Sequence, residues 1–381
     1  MTTERTVGRG TRVLRAGVPA PAHGEPFLPG PVLAAPFHLH GDPGDSRWVY
    51  GRYDTPTLSR FEDALGALEG GRAVVFASGM AAAAAVLLPI PEPGDVVVVP
   101  SDGYPTVRAL ATEHLARRGV EVRVVPTDLD GYRDAVAGAT LVWLETPSNP
   151  GLDVCDIRAL ADAVYAEGGL LAVDNTVATA LGQRPLELGA DLSMASDTKG
   201  LTGHSDLLLG HVAAADPERA EALRAWRIAT GAVPGPFETW LAHRSLATLD
   251  VRLARQTATA LALARLLEGR ADVSSVRYPG LPADPAHAAA RAQMDAFGTV
   301  VTFTLAGAAE AEAFLAGARL VADATSFGGV HSSAERRARW PGNDVPEGLV
   351  RFSVGLEDTE DLLDDVARAL DDVGRALDAA A

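Results

Sequence analysis

The apolar residues of this chain fall into short runs separated by polar stretches of helical spacing. Leu58, Phe61, Leu65 and Leu68 recur as one helical face, and the pattern stops at Gly70-Gly71, predicting a helix that starts at Thr57 or Leu58. Residues 73–77 then read as a strand, Ser78-Gly79-Met80 as a tight turn, and residues 81–88 as an alanine-rich helix. The alternation continues with strands at 95–100, 120–125, 141–145 and 169–173, and helices at 104–118 and 157–167. Strands and helices alternating at short spacing predict a mostly parallel sheet covered on both faces. Ligands sit beyond the C-terminal strand ends of such sheets. Ser78, Tyr104, Asn149 and Asp174 all fall at those ends or in the loops that follow.

Residues 237–267 are strongly helix-forming, with Trp240, Leu241, Leu249, Leu253 and Leu261 on one stripe, and predict one long connecting helix. Strands at 273–278, 298–305 and 349–354, with helices at 310–316 and 358–377, then predict a smaller α/β domain. The first 56 residues differ: Pro and Gly are too dense between Gly17 and Gly44 for a long helix or a central strand. They read as an extended arm, poor in core of its own, that lies on another surface. The expected organisation is an arm over 1–56, a main domain over 57–240 and a C-terminal domain over 241–381.

Charge narrows the partners. The 33 basic and 50 acidic residues give a formal net charge of −17, which disfavours nucleic acid and anionic membranes. No apolar run is long enough to span a membrane, and the charged stretch 1–15 lacks the apolar centre of an export signal. A single cysteine, Cys155, suits a reducing compartment and reads as a small buried residue. A cytoplasmic protein acting on a small molecule is the expectation.

The chemistry concentrates in Ser196-Asp197-Thr198-Lys199-Gly200-Leu201-Thr202-Gly203-His204-Ser205-Asp206. Hydroxyls and backbone N–H groups beside one lysine suit a phosphate next to an amine that reacts with a carbonyl. Upstream, residues 170–174 form a short apolar run ending in Asp174. Pyridoxal phosphate (PLP) needs this pair: a lysine for its aldehyde and an acid that keeps its ring nitrogen protonated. The turn Ser78-Gly79-Met80, between a strand and a helix, is an anion site for the same reason.

Taken in order, these residues resemble the Cys/Met-metabolism PLP enzymes, the cystathionine γ-synthase-like family of fold type I. The resemblance runs from Tyr50 to Asp358 and is sharpest at Ser196-Asp197-Thr198-Lys199, at Gly203-His204-Ser205-Asp206, and in the 25-residue interval from Asp174 to Lys199. It implies a PLP-binding mostly parallel large domain, a smaller C-terminal α/β domain and an N-terminal arm. It implies further that Lys199 carries the cofactor, Asp174 meets the ring nitrogen, and Ser78, Gly79, Met80, Ser196 and Thr198 hold the phosphate. Tyr50 and Arg52 match the family's Tyr-x-Arg, which reaches the phosphate from a neighbouring subunit. A dimer is then the smallest active unit, within a homotetramer. Tyr104 matches the tyrosine stacked on the ring, Asn149 the asparagine near its phenolic oxygen, and Arg351 the arginine for the substrate α-carboxylate, with Ser326 in the adjoining loop.

Departures from the family lie on the substrate side. Pro105-Thr106 stands where Gly-Gly-Thr is common. The loop Ser326-Phe327-Gly328-Gly329 continues with Val330-His331-Ser332 instead of a pair such as Glu-Ser, and residues 334–340 replace the family's Thr-His-Pro segment. His331 is a candidate specificity residue or a solvent-facing loop side chain. Glu335, Arg336, Arg337 and Arg339 offer polar partners for the far end of a long substrate. Among the family's reactions, cleavage of L-cystathionine to cysteine, 2-oxobutyrate and ammonia is the first choice. The rivals are the synthase reaction of an O-acylhomoserine with cysteine, γ-cleavage of methionine, and β-cleavage of cystathionine. A carrier that merely binds PLP would have no use for a substrate-carboxylate arginine.

Overall fold

The computed structural model describes residues 7–342 and 344–380, with side chains as far as residue 375. Residues 1–6 of the expected arm lie outside the described residues. The chain begins with α1 (Arg9–Arg15), followed by α2 (Pro56–Glu69), β1 (Arg72–Phe76), α3 (Gly79–Leu87), β2 (Val96–Pro100), α4 (Pro105–Ala109), β3 (Glu121–Val125) and α5 (Leu129–Ala135). Next come β4 (Ala139–Glu145), α6 (Ile157–Ala166), β5 (Leu170–Asp174), α7 (Thr179–Gly182), β6 (Leu192–Ala195), β7 (Gly210–Ala214) and α8 (Pro217–Thr230). Helices α9 (Pro236–Leu246) and α10 (Leu249–Glu268) lead to β8 (Ser275–Arg277), α11 (His287–Gln293), β9 (Val300–Thr304) and α12 (Ala308–Gly317). The chain ends with β10 (Ala322–Asp323), β11 (Ser333–Arg336), β12 (Leu349–Ser353) and α13 (Thr359–Ala380).

Local signals explain the first elements. Thr55 Oγ1 accepts from Leu58 N at 3.1 Å and Pro56 opens α2, while Gly70 ends it at φ 79°. The expected stripe of Leu58, Phe61, Leu65 and Leu68 is buried. The large sheet runs β1-β7-β6-β5-β4-β2-β3. β7 is antiparallel to both its neighbours, and the rest of the pairs are parallel. Alternate residues of one strand enter opposite cores: Trp143 packs with α3, and Val142 and Leu144 pack with Ile157 and Leu160 of α6. Both faces are therefore covered. The ends of β1, β4, β5 and β6 open at one edge of the sheet.

The expected single helix over 237–267 is two. α9 and α10 are separated at Ala247 and Thr248, and Thr248 leaves helical geometry with ψ near 4°. The break accompanies a bend that lets Arg252 reach back. Its guanidinium donates to Gly200 O and Leu201 O, both at 2.9 Å, and to Ser245 O at 3.2 Å. Gly203, at φ 72°, lies so close to that guanidinium that a Cβ there would overlap it. α10 joins the two halves physically: Leu249 and Leu253 sit in one core with Phe61, and Leu263 and Leu267 in another with Phe303 and Phe352.

The second sheet runs β10-β11-β12-β9-β8 and is antiparallel except for the β10–β11 pair. The arm also departs from expectation. α1 buries Val13 against Leu249 and Leu253, and Arg9 pairs with Asp250 at 2.8 Å, so part of the arm does share a core with its own chain.

Candidate active site

A cavity of about 300 Å³ lies at the C-terminal edge of the large sheet, with residues of the second sheet and its loops on its far side. Asp174 ends β5 with 6% of its surface exposed. Its Oδ1 accepts from Thr176 N at 3.0 Å and from Thr176 Oγ1 at 2.5 Å, and Thr176 Oγ1 accepts in turn from Ser196 N at 2.9 Å. The strand end and the lysine loop are thus tied through one threonine. Burial raises the Asp174 carboxyl above its ordinary value, against the pull of Thr176. A cationic ring nitrogen beside it would reverse that direction.

Lys199 Nζ donates to Ser326 Oγ at 2.7 Å and lies 5.4 Å from the Phe327 ring centroid. Burial, and then Arg351, bring its ammonium down to about 8, with Glu335 pulling the other way. A larger share of the amine is therefore unprotonated near neutrality than for an ordinary lysine. Ser326 holds its place at φ 83°, an uncommon conformation for a residue with a side chain.

Ser78 caps α3, its Oγ accepting from Ala81 N at 3.1 Å. A Cβ on Gly79 would stand 2.7 Å from the Ser196 side chain, so only glycine allows the helix start and the lysine loop to approach this closely. Met80 lines the same end of the cavity. Thr198 lines it too, but its Oγ1 donates to Leu209 O at 3.1 Å and accepts from Leu209 N at 3.0 Å. This hydroxyl braces the loop against the chain leading to β7.

The opposite wall comes from the second sheet. Arg351 on β12 is 4% exposed and donates to Asn149 Oδ1 at 2.8 Å, Ser326 O at 3.1 Å and Glu335 Oε1. Tyr104 lines the cavity, is 44% exposed, and donates its N–H to Glu145 Oε2 at 2.6 Å. Glu145 is the Cα partner of Asp174 across β4 and β5. Burial, then Asp174, raise its carboxyl well above the usual range and favour its protonated form.

Three expected residues lie elsewhere. Tyr50 and Arg52 line a separate cleft with Thr239, where Arg52 donates to Ile228 O at 3.1 Å and stacks on Tyr50 and Tyr53. Within one chain they do not reach Lys199. His331 is exposed and does not line the cavity. Its neighbours explain why: Val330 N bonds Gly203 O, and Ser332 is fixed by two bonds to Glu357, which leaves His331 on the outer side. Arg336 also faces outward, paired with Glu312 at 2.6 Å and Glu347 at 2.9 Å. Glu335 and Arg337, by contrast, are buried at this wall. Glu145, Thr176 and Phe327 also line the cavity without having been expected there; Phe327 is the variable position of the Ser326–Gly329 loop, and no local motif marks the other two.

The residues present fit pyridoxal phosphate. The cavity offers a helix start cradled by Gly79 and Ser196, an amine of lowered basicity, and a buried carboxylate opposite it. When bound, this cofactor supplies an electron sink for a carbanion formed at the substrate's Cα.

The family comparison agrees. The sequence pattern of the Cys/Met metabolism PLP-dependent enzymes matches residues 37–371. A Streptomyces coelicolor relative, whose cystathionine gamma-lyase name is itself provisional, is 56% identical over 94% of this chain and 92% of its own length. A cystathionine gamma-synthase of Mycobacterium tuberculosis is 39% identical over 94% of this chain and 95% of its own. Among solved structures, a Micromonospora echinospora protein described as a methionine gamma lyase superposes with a TM-score of 0.90 at 38% identity, covering 96% of this chain and 99% of that one. A second structure from the same protein is described as a cystathionine gamma lyase. The chain therefore belongs to the Cys/Met metabolism PLP-dependent enzyme family and is a PLP-dependent enzyme of that metabolism.

Proposed function

We propose that this enzyme is a cystathionine γ-lyase, converting L-cystathionine and water to L-cysteine, 2-oxobutyrate and ammonia. The observation that carries the reading is that Lys199, with its lowered basicity, lines one cavity together with Asp174 and Arg351. The first relative's provisional lyase name supports the choice among the family's reactions. Arg351 grips the substrate α-carboxylate through a charge-assisted pair, with Asn149 and Ser326 O keeping its plane fixed. Asp174 would hold the ring nitrogen of the cofactor, and Tyr104 would lie against its ring. The Lys199 amine would take the proton from Cα and return protons further along the chain, because burial and Arg351 bring it down to about 8, within reach of its free form near neutrality. Tyr104 can hand a proton to the departing sulfur.

Incubation of the purified enzyme with cystathionine, with O-succinylhomoserine plus cysteine, and with methionine tests the assignment. The expected products are 2-oxobutyrate and cysteine from the first. Faster synthesis of cystathionine, or faster release of methanethiol from methionine, would replace it.

We also propose that Tyr50 and Arg52 complete the phosphate site of a second copy of the chain, since they cannot reach their own. Mixing Arg52→Ala with Lys199→Ala chains should restore activity through a hybrid site holding both residues. Mixed dimers that form and stay inactive would refute the sharing.

A further inference from the structure

Glu335 and Arg351 are Cα partners across β11 and β12, so their side chains share one face of the sheet. Glu335 is only 1% exposed. Its Oε1 accepts from Arg337 Nη1 at 2.8 Å and from Arg351 Nη2, and its Oε2 accepts from Trp340 Nε1 at 2.7 Å. One buried carboxylate thus holds the two guanidinium groups of the cavity wall in place, with Arg339 Nη2 a further 3.8 Å from its Oε2. Both lie within hydrogen-bond reach of the same oxygen, so their nearest nitrogens are at most about 6 Å apart. Both Arg337 and Arg351 line the cavity, whereas Arg336 does not.

Charge then assigns a ligand. Arg339 is answered by Asp323 at 2.8 Å, so the two guanidinium groups of the cavity wall against one carboxylate leave one positive charge, which the α-carboxylate at Arg351 answers. What remains is the pair Arg337 and Glu335, neutral as a unit but strongly dipolar. A bare apolar tail gains nothing from such a pair. A second amino-acid group, itself a zwitterion, is complementary to it. The guanidinium is the member that lines the cavity, so the carboxylate of that group is the end it meets.

We propose that Arg337 reads the far amino-acid end of the substrate, with Glu335 as the positioning residue that sets its spacing from Arg351. The proposal rests on the sulfur-amino-acid reading above and deepens it: the preferred substrate carries an amino-acid group at each end of a short chain. It moves specificity from the exposed His331 and Arg336 to a residue inside the cavity.

Binding of 2,6-diaminopimelate, which has two amino-acid ends, against L-norleucine, which has one, tests this on the holoenzyme by calorimetry. Neither probe carries a sulfur leaving group, so cleavage is not needed for the readout. Diaminopimelate should bind more tightly by about tenfold, the lower range for one charge-assisted pair. Arg337→Gln should remove most of that preference and leave norleucine within about twofold, as expected when one ligand end is untouched. Arg337→Lys should retain part of the preference, and Arg336→Gln all of it. Retained visible absorbance of the cofactor will show that the variants are folded. No preference in the unaltered enzyme, or equal weakening of both ligands by Arg337→Gln, would overturn the proposal. A preference without cystathionine cleavage would sink the assigned reaction and leave this inference standing. Cleavage without the preference would do the reverse.

Discussion

The two walls of the cavity are built on different principles. The wall from the large sheet is a set of strand ends and one loop, and its side chains are braced by neutral partners: Thr176 for Asp174, Ala81 N for Ser78, Leu209 for Thr198. Its charged side chains are few, which suits a cofactor bringing its own phosphate and ring nitrogen. The wall from the second sheet is an ion cluster, Arg337–Glu335–Arg351, preassembled across one strand pair. The contrast shows where each kind of ligand is recognised. A constant cofactor is met by geometry, and a variable substrate by charges whose number and spacing can change with a few residues.

The largest expected effect is on the first wall. Lys199→Ala should abolish the visible absorbance of the bound cofactor and all turnover, since no other lysine is present in the whole chain. Borohydride reduction and peptide mapping should place the pyridoxyl group on Lys199, and label on any other residue would end the reading.

Behind that wall lies a buried charged support. His211 on β7 is fully buried, with Nδ1 2.6 Å from Asp197 Oδ1 and Nε2 3.1 Å from Glu69 Oε1, and Glu69 Oε2 accepts from Ser193 Oγ at 2.8 Å. Burial opposes the charged imidazole, yet Asp197 and then Glu69 overcome it and lift His211 from 6.5 to about 10. Burial also raises the Asp197 carboxyl, which His211 only partly offsets, so the net gain is smaller than the histidine shift alone implies. His211→Gln breaks a buried charged group and should cost about 3–5 kcal/mol of stability. Because the folded-state value lies above the unfolded one, this stabilisation is complete below pH 6.5 and is lost as pH rises through about 10. Denaturant midpoints of the two proteins should therefore converge between those values. A constant gap would mean that His211 contributes packing and not charge.

Arg351→Ala tests the second wall alone. The cofactor absorbance should persist while KM for the substrate rises, by about 1.5–3 kcal/mol or roughly ten- to a hundredfold for a charge-assisted pair. Loss of the absorbance together with turnover would show that the walls are not separable in this way.

The same contrast explains what could be read from the chain. Lys199, Asp174, Ser78 and Gly79 lie in local patterns, a strand followed by a turn, whose chemistry is visible without knowing the fold. The strand alternation also placed most of the large sheet. β7 was missed because Gly210-His211 interrupts its apolar run, and α8 because its surface-facing side is charged. The break at Thr248 depends on Arg252 reaching a loop some fifty positions earlier, which no spacing rule encodes. Glu335 is expected from the sequence only as one of four polar partners for the far end of the substrate. Ser333-Ala334-Glu335-Arg336 carries no apolar alternation, and only its register against β12 turns Glu335 inward and Arg336 outward.

The smallest effect is the most discriminating, because it measures one wall acting on the other. Lys199 belongs to the first wall, but two groups of the second set its basicity: Arg351 lowers it and Glu335 raises it, after burial has lowered it most. The reactive species toward the cofactor's aldehyde is the free amine. In protein stripped of cofactor, the rate of pyridoxal phosphate uptake, followed by visible absorbance, should therefore rise with pH and level off above about 8, where an ordinary lysine would still be climbing toward 10.5. Glu335→Gln removes the negative charge that favours the ammonium, so the midpoint should fall. Arg351→Ala removes a positive charge that disfavours it, so the midpoint should rise. A purely structural role for either residue would change the final level of uptake and leave the midpoint in place. Shifts of the same sign in both variants would show that altered burial, and not charge across the cavity, controls the lysine.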